Sequence, residues 1–183
     1  MGQRGTRSIL ITGGAGFIGS NLAHRLLSDP SAEVRIFDDL SRSGVEHNLA
    51  WLQSEHGSRV DYIRGDVRDA SALLHAAADV DEIYHLAAQV AVTTSVEDPR
   101  SDFEVNTLGT FNVLEAARRS AARSGRAPFL LFTSTNKVYG SLHDVPVDLN
   151  GTHYAAQDPS FQGVAEHEAL DFHSPYGLSL IHI

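Results

Sequence analysis

Short apolar runs punctuate the first 135 residues of the chain. Residues 8–12, 33–37, 60–64, 82–86 and 129–133 are each brief, apolar and partly β-branched, the pattern of buried strands. Residues 17–28 place Phe17, Ile18, Leu22, Leu26 and Leu27 on one helical face, and residues 69–78 predict a second helix. Residues 102–123 predict a third, capped by Asp102, with Phe103, Leu108, Phe111, Leu114 and Ala117 as its apolar stripe. Strands alternating with helices imply right-handed crossovers and a parallel sheet covered on both faces, a doubly wound α/β fold. After Gly140 the periodicity stops. Residues 141–175 carry Pro146, Pro159, Pro175, Gly151 and Gly163 and predict a long loop, with at most a short helix over 163–169. Structureless loops longer than about 15 residues are usually functional in compact domains.

A length of 183 residues makes one domain the default, and 42% apolar with 20% charged residues disfavours a disordered chain. The absence of cysteine excludes disulfides, thiolate metal sites and a cysteine nucleophile. A net charge of −9 argues against generic binding to nucleic acid or to anionic membranes, so an anionic ligand needs a local device. The apolar run Ile9-Leu10-Ile11 is too short for a signal-peptide core or a membrane span, and a cytoplasmic protein is the plain expectation. Met1-Gly2 with Thr6 and Asn150-Gly151-Thr152 match acylation and glycosylation patterns short enough to arise by chance. His143, His153, His167 and His173 show no repeated ligand spacing, and no metal site is predicted.

The local device is at residues 12–19, Thr-Gly-Gly-Ala-Gly-Phe-Ile-Gly, which join the first strand to the first helix. Gly14, Gly16 and Gly19 satisfy the dinucleotide fingerprint, and Gly13, Gly16 and Gly19 its wider-spaced variant. Glycines permit a tight turn and close backbone approach to a pyrophosphate, which the helix N-terminus then holds. Gly13, Gly16, Phe17, Ile18 and Gly19 are the candidate contacts. Asp38 ends the second strand at about the 20-residue spacing where a carboxylate accepts hydrogen bonds from an adenosine ribose. It would repel a 2′-phosphate, so NAD is favoured; Arg42 nearby keeps NADP as an alternative.

From this point the sequence resembles the extended short-chain dehydrogenase/reductase (NAD-dependent epimerase/dehydratase) family. The resemblance rests on residues 12–19, Asp38, Gly65-Asp66-Val67, His85-Leu86-Ala87-Ala88, Asn106 with Gly109-Thr110, Ser134-Thr135 with Val138-Tyr139-Gly140, and Ser174-Pro175-Tyr176-Gly177. In the family's order these cover residues 7–179. The resemblance implies a Rossmann domain, with Asp66 and Val67 flanking the adenine, Leu86, Ala87 and Ala88 lining the cofactor, and Asn106 beside the active site. It also implies that Tyr176 takes a proton from a sugar hydroxyl while hydride passes to nicotinamide, with Thr135 sharing that proton. Relatives often dimerise through helices that include residues 102–123 and the one beginning at Tyr176, so a homo-oligomer is implied as well.

The family's lysine one helical turn after the tyrosine lowers the phenol's pKa. Position 180 is Leu180, which supplies no charge. Relatives continue into further sheet and a smaller sugar-nucleotide domain, so residues 1–183 are expected to be an incomplete NAD-binding domain, cut after the fifth strand and not active alone. Family dehydratases place Asp-Glu after the threonine as acid and base; here Asn136-Lys137 follow Thr135, which disfavours dehydration. Epimerisation through a transient keto sugar is expected instead, with a CDP-sugar favoured as substrate. Gln89, Thr94 and His173 are candidate substrate contacts, each with a plain alternative: loop hydrogen bonding for the first two and a solvated histidine for the third. A dinucleotide-binding chain without catalysis, or a sibling acting at C4 of a UDP-sugar, are the alternatives.

Overall fold

The computed structural model describes residues 6–181; the acylation pattern at Met1-Gly2 and the last two residues lie outside them. Five strands, β1 (Arg7–Thr12), β2 (Ala32–Asp38), β3 (Val60–Arg64), β4 (Glu82–His85) and β5 (Phe129–Phe132), form one parallel sheet in the order β3-β2-β1-β4-β5. Helices α1 (Phe17–Leu26) and α2 (Val45–His56) cover one face. Helices α3 (Ala70–Ala76) and α6 (Gly109–Ser124) cover the other. Alternation along β1 explains the division. Ile9 and Ile11 pack with Ala23, Leu49 and Leu52, while Leu10 packs with Leu73, Val113 and Ala116. A strand buried on both faces needs a continuous apolar run, which β1 has.

The predicted third helix is three pieces, α5 (Pro99–Phe103), a π-turn over Glu104–Leu108 and α6; a separate helix, α4 (Val92–Glu97), comes before them. Asp98, not Asp102, caps α5, accepting from the Ser101 N–H, because Pro99 occupies the first helical position. Asp102 instead lies inside, fully buried. Most of the predicted stripe is inverted: Phe103, Leu108, Phe111 and Leu114 are exposed, Ala117 packs part-buried against the core, and Gly109, Asn112, Val113 and Ala116 face inward. The inward face needs small residues, since a Cβ on Gly109 would lie 2.7 Å from the Val67 side chain.

Residues 141–175 are not one structureless loop. Strands β6 (Val147–Asn150) and β7 (His153–Ala156) pair as an antiparallel hairpin, no helix forms over 163–169, and α7 (Pro175–Ser179) is the last element among the described residues. Strand β5 is an edge strand with Phe129 and Leu131 exposed. No helix among the described residues is long and apolar enough to cross a membrane.

Candidate active site

A groove of about 760 Å³ runs across the carboxyl ends of the strands, where the order reverses between β1 and β4. Open α/β sheets bind ligands at that switch point. The glycine turn forms one wall. Gly13 has φ +70°, and a Cβ there would lie 2.7 Å from the Ala87 backbone nitrogen, so only glycine lets the turn approach the loop after β4. Gly16 begins α1 without a side-chain cap, and the first turn carries no acidic residue. Its unpaired N–H groups and positive dipole end therefore face the groove free to hold an anion.

Asp38 closes the next wall. Its carboxylate accepts hydrogen bonds from the Ala15 N–H (3.1 Å) and the Leu40 N–H (2.9 Å), which fix it at the groove edge. Burial holds its pKa above the ordinary value, opposed by those two N–H groups. Asp66 and Val67 line the same groove; Asp66 is paired with Arg68, whose guanidinium holds the carboxyl below its usual range. Asn112 on α6 donates to the Val67 and Arg68 carbonyls at 3.0 and 3.2 Å, tying this loop to the helix layer.

Leu86, Ala87, Ala88 and Gln89 floor the groove, and Tyr176 reaches it from α7. The first turn of α7 accounts for its amides. Pro175 has none, Tyr176 N–H donates to Ser95 Oγ (3.2 Å), Gly177 N–H to Ser174 Oγ (3.1 Å), and Leu178 N–H to the Ser174 carbonyl. The far end is tied by Ser134 Oγ donating to the Leu180 carbonyl at 2.5 Å. Gly177 sits against the Lys137 carbonyl, which a Cβ would approach to 2.7 Å. That contact brings α7 over the 3-10 turn Asn136–Tyr139, which Thr135 caps. Leu180 is buried and also lines the groove.

The other predicted residues stand apart from the groove walls. Asn106 is buried in the π-turn, where it clamps Gln89: its Oδ1 accepts from the Gln89 N–H at 2.8 Å and its Nδ2 donates to the Gln89 carbonyl at 3.1 Å. The Gln89 side chain bonds the Ala91 backbone, so its amide serves its own loop. Thr94 is exposed on α4. Exposed His173 contacts Asp171 at 2.7 Å and Ser141 at 3.3 Å. Thr133 and Ser134 line the groove, whereas Thr135, the next residue, does not and caps the following turn. The described residues contain no group of three or more acidic or histidine side chains that could hold a metal ion.

A sequence profile of the GDP-mannose 4,6 dehydratase family matches residues 10–179. The chain belongs to that family. With it the chain joins the extended short-chain dehydrogenase/reductases. It is 42% identical over 173 residues to CDP-paratose 2-epimerase of Salmonella typhi, covering 93% of this chain and 49% of that protein. It is 39% identical to UDP-glucose 4-epimerase of Mycolicibacterium smegmatis over 76% of this chain and 44% of that one. Among solved structures, the dTDP-glucose 4,6-dehydratase DesIV from Streptomyces venezuelae, with NAD bound, superposes with a TM-score of 0.74 at 30% identity, over 94% of this chain and 48% of that chain. The chain spans about half the length of the relatives it matches.

The groove also takes in residues that no sequence motif singled out. Arg68 had a signal, lying two positions after Asp66 in a motif already noted. Val105 and Ser101 reach the groove only because the π-turn and α5 fold over it, which no local pattern shows.

Proposed function

We propose that this chain supplies the cofactor-binding and base-bearing part of an NAD-dependent nucleotide-sugar epimerase, most like CDP-paratose 2-epimerase. The observation that carries the reading is Asn136-Lys137 after Thr135, in place of a dehydratase's Asp-Glu pair, in a chain 42% identical to that epimerase. The groove suits NAD. The uncapped start of α1 takes the pyrophosphate, Asp38 the adenosine ribose, and Asp66 with Val67 the adenine side. Bound NAD⁺ supplies a reversible hydride acceptor next to a sugar carbinol. Tyr176 accepts the hydroxyl proton as the keto sugar forms and returns it after the sugar turns its other face. Thr135 orients that hydroxyl. Gln89 on the groove floor, with Thr94 and His173 exposed outside it, are the proposed contacts of a CDP-sugar.

A second reading, dinucleotide binding without turnover, is favoured by Leu180, which brings a buried apolar side chain to the groove where the family's lysine would supply charge. Calorimetric titration of the chain with NAD⁺, followed by assays of a full-length form with CDP-paratose and UDP-glucose, separates the readings. Binding with 2-epimer formation supports the first, and binding without product from either sugar supports the second. Turnover of UDP-glucose points to a sibling acting at C4. No NAD⁺ binding defeats them all.

A further inference from the structure

A line of hydrogen bonds crosses the floor of the groove beneath the residues assigned above. The Ala87 N–H donates to Thr12 Oγ1 at 3.4 Å, and Thr12 Oγ1 lies 2.6 Å from His85 Nδ1. His85 Nε2 lies 3.0 Å from Thr110 Oγ1, and the Thr110 hydroxyl donates to the Asn106 carbonyl at 2.6 Å. Thr12 and His85 are buried register partners at the ends of β1 and β4.

For a neutral ring, only one proton arrangement satisfies every contact. A carbonyl cannot donate, so Thr110 gives its single proton to Asn106 and accepts from His85 Nε2–H. Nδ1 is then the acceptor of the neutral ring, and the Thr12 hydroxyl donates to it. The Thr12 oxygen is left to receive the Ala87 N–H. Burial favours the uncharged ring, holding His85 down at about 4.

The two ends of this line are functional elements. Thr12 enters the glycine turn. Asn106 clamps both carbonyl and amide of Gln89 and donates to Ser179 Oγ at 3.0 Å on the helix that carries Tyr176. We propose that His85, held as the neutral Nε2–H tautomer, is a positioning residue that sets the Asn106 clamp in register with the glycine turn, and through it the cofactor floor and the Tyr176 helix. The consequence for NAD⁺ rests on the function proposed above; the positioning role does not.

Two measurements on the chain without ligand test it. A long-range ¹H–¹⁵N correlation spectrum at pH 7 is expected to show His85 as the Nε2–H tautomer; the Nδ1–H form or an imidazolium overturns the proposal. Amide hydrogen exchange then compares wild type with His85→Phe and Thr110→Val, the latter removing one hydroxyl at nearly constant shape. Exchange of the Gln89 N–H is expected to accelerate at least ~10-fold while amides of β2 keep their protection. A Gln89 amide that is unchanged, or that loosens only in step with β2, overturns the positioning role. NAD⁺ affinity is expected to fall with Gln89 protection across the variants. If wild type binds no NAD⁺, the function proposal fails while the exchange result still decides the role of His85.

Discussion

Ser95 and Tyr176, 81 positions apart, meet through one hydrogen bond: the Tyr176 backbone N–H donates to Ser95 Oγ at 3.2 Å, and Ser95 passes its own proton to the Val92 carbonyl at 2.7 Å. Ser95 is fully buried. The helix bearing the candidate base is therefore anchored at its start by a side chain from α4.

Removal of that hydroxyl in Ser95→Ala orphans a first-turn amide that Pro175 and Ser174 cannot satisfy. The expected cost is about 1–3 kcal/mol, the penalty for an unpaired buried donor. Urea denaturation measures it. A midpoint equal to wild type would show that the anchor contributes nothing.

Gly140 and Gly125 both have positive φ, +63° and +73°, but differ in ψ and in surroundings. A Cβ at Gly125 meets nothing within 4 Å, whereas one at Gly140 would lie 2.5 Å from the Asp171 carboxylate and 2.6 Å from its carbonyl oxygen. Gly125→Ala is expected to cost about 1 kcal/mol from backbone strain alone. Gly140→Ala adds about 1–3 kcal/mol of overpacking, because Asp171 is also held by its N–H to the Val138 carbonyl. Equal melting curves for the two variants would refute the close docking of residues 171–175 onto the turn before Ser141.

Acid should weaken this fold before any carboxylate reaches its ordinary range. His85 is neutral when folded, at about 4, but titrates near 6.5 once exposed. Its contribution is complete above 6.5 and is lost as pH falls from 6.5 toward 4. The loss is about 2 kcal/mol between pH 7 and 5. His56 has the same sign: burial first, then His24 and Arg59, hold its pKa down. Asp38 and Asp102, raised by burial, act in the opposite sense as they protonate. Urea midpoints from pH 7 to pH 5 should fall in wild type and fall less in His85→Phe. Parallel curves for the two proteins would contradict the buried neutral ring. Trp51, the sole tryptophan, lies 4.9 Å from the tilted His24 ring, and its fluorescence reports on the His24–His56 contact.

The strands were legible because each gathers apolar, β-branched or aromatic residues in a short segment, even where Arg35 or Asp61 interrupts it, and the glycine turn because backbone geometry restricts it to glycine. Helix α2 was not read: Val45, Leu49 and Leu52 are its only buried residues, isolated among polar ones. The outward stripe of α6 misled because it is more apolar than the buried face, where close packing demands glycine and alanine. The β6–β7 hairpin had a signal in Gly151-Thr152, a two-residue turn whose glycine comes first and adopts φ +61°, although Asn150-Gly151-Thr152 also spell a glycosylation pattern. Of the site, the residues that touch the groove by motif were readable. The Ser95 anchor, the Asn106 clamp and the His85 line were not, since each joins residues distant in sequence through one polar contact.

The central claim is that the groove between the glycine turn and Asp38 is a dinucleotide site, and calorimetric titration of NAD⁺ into wild type and Asp38→Ala tests it most directly. Hydrogen bonds to a charged group contribute about 1.5–3 kcal/mol, so saturable one-site binding is predicted in wild type, weakened roughly 10-fold or more by the substitution. The same substitution should narrow the preference for NAD⁺ over NADP⁺. Absence of binding in wild type, or equal NAD⁺ affinity in both proteins, would contradict the account.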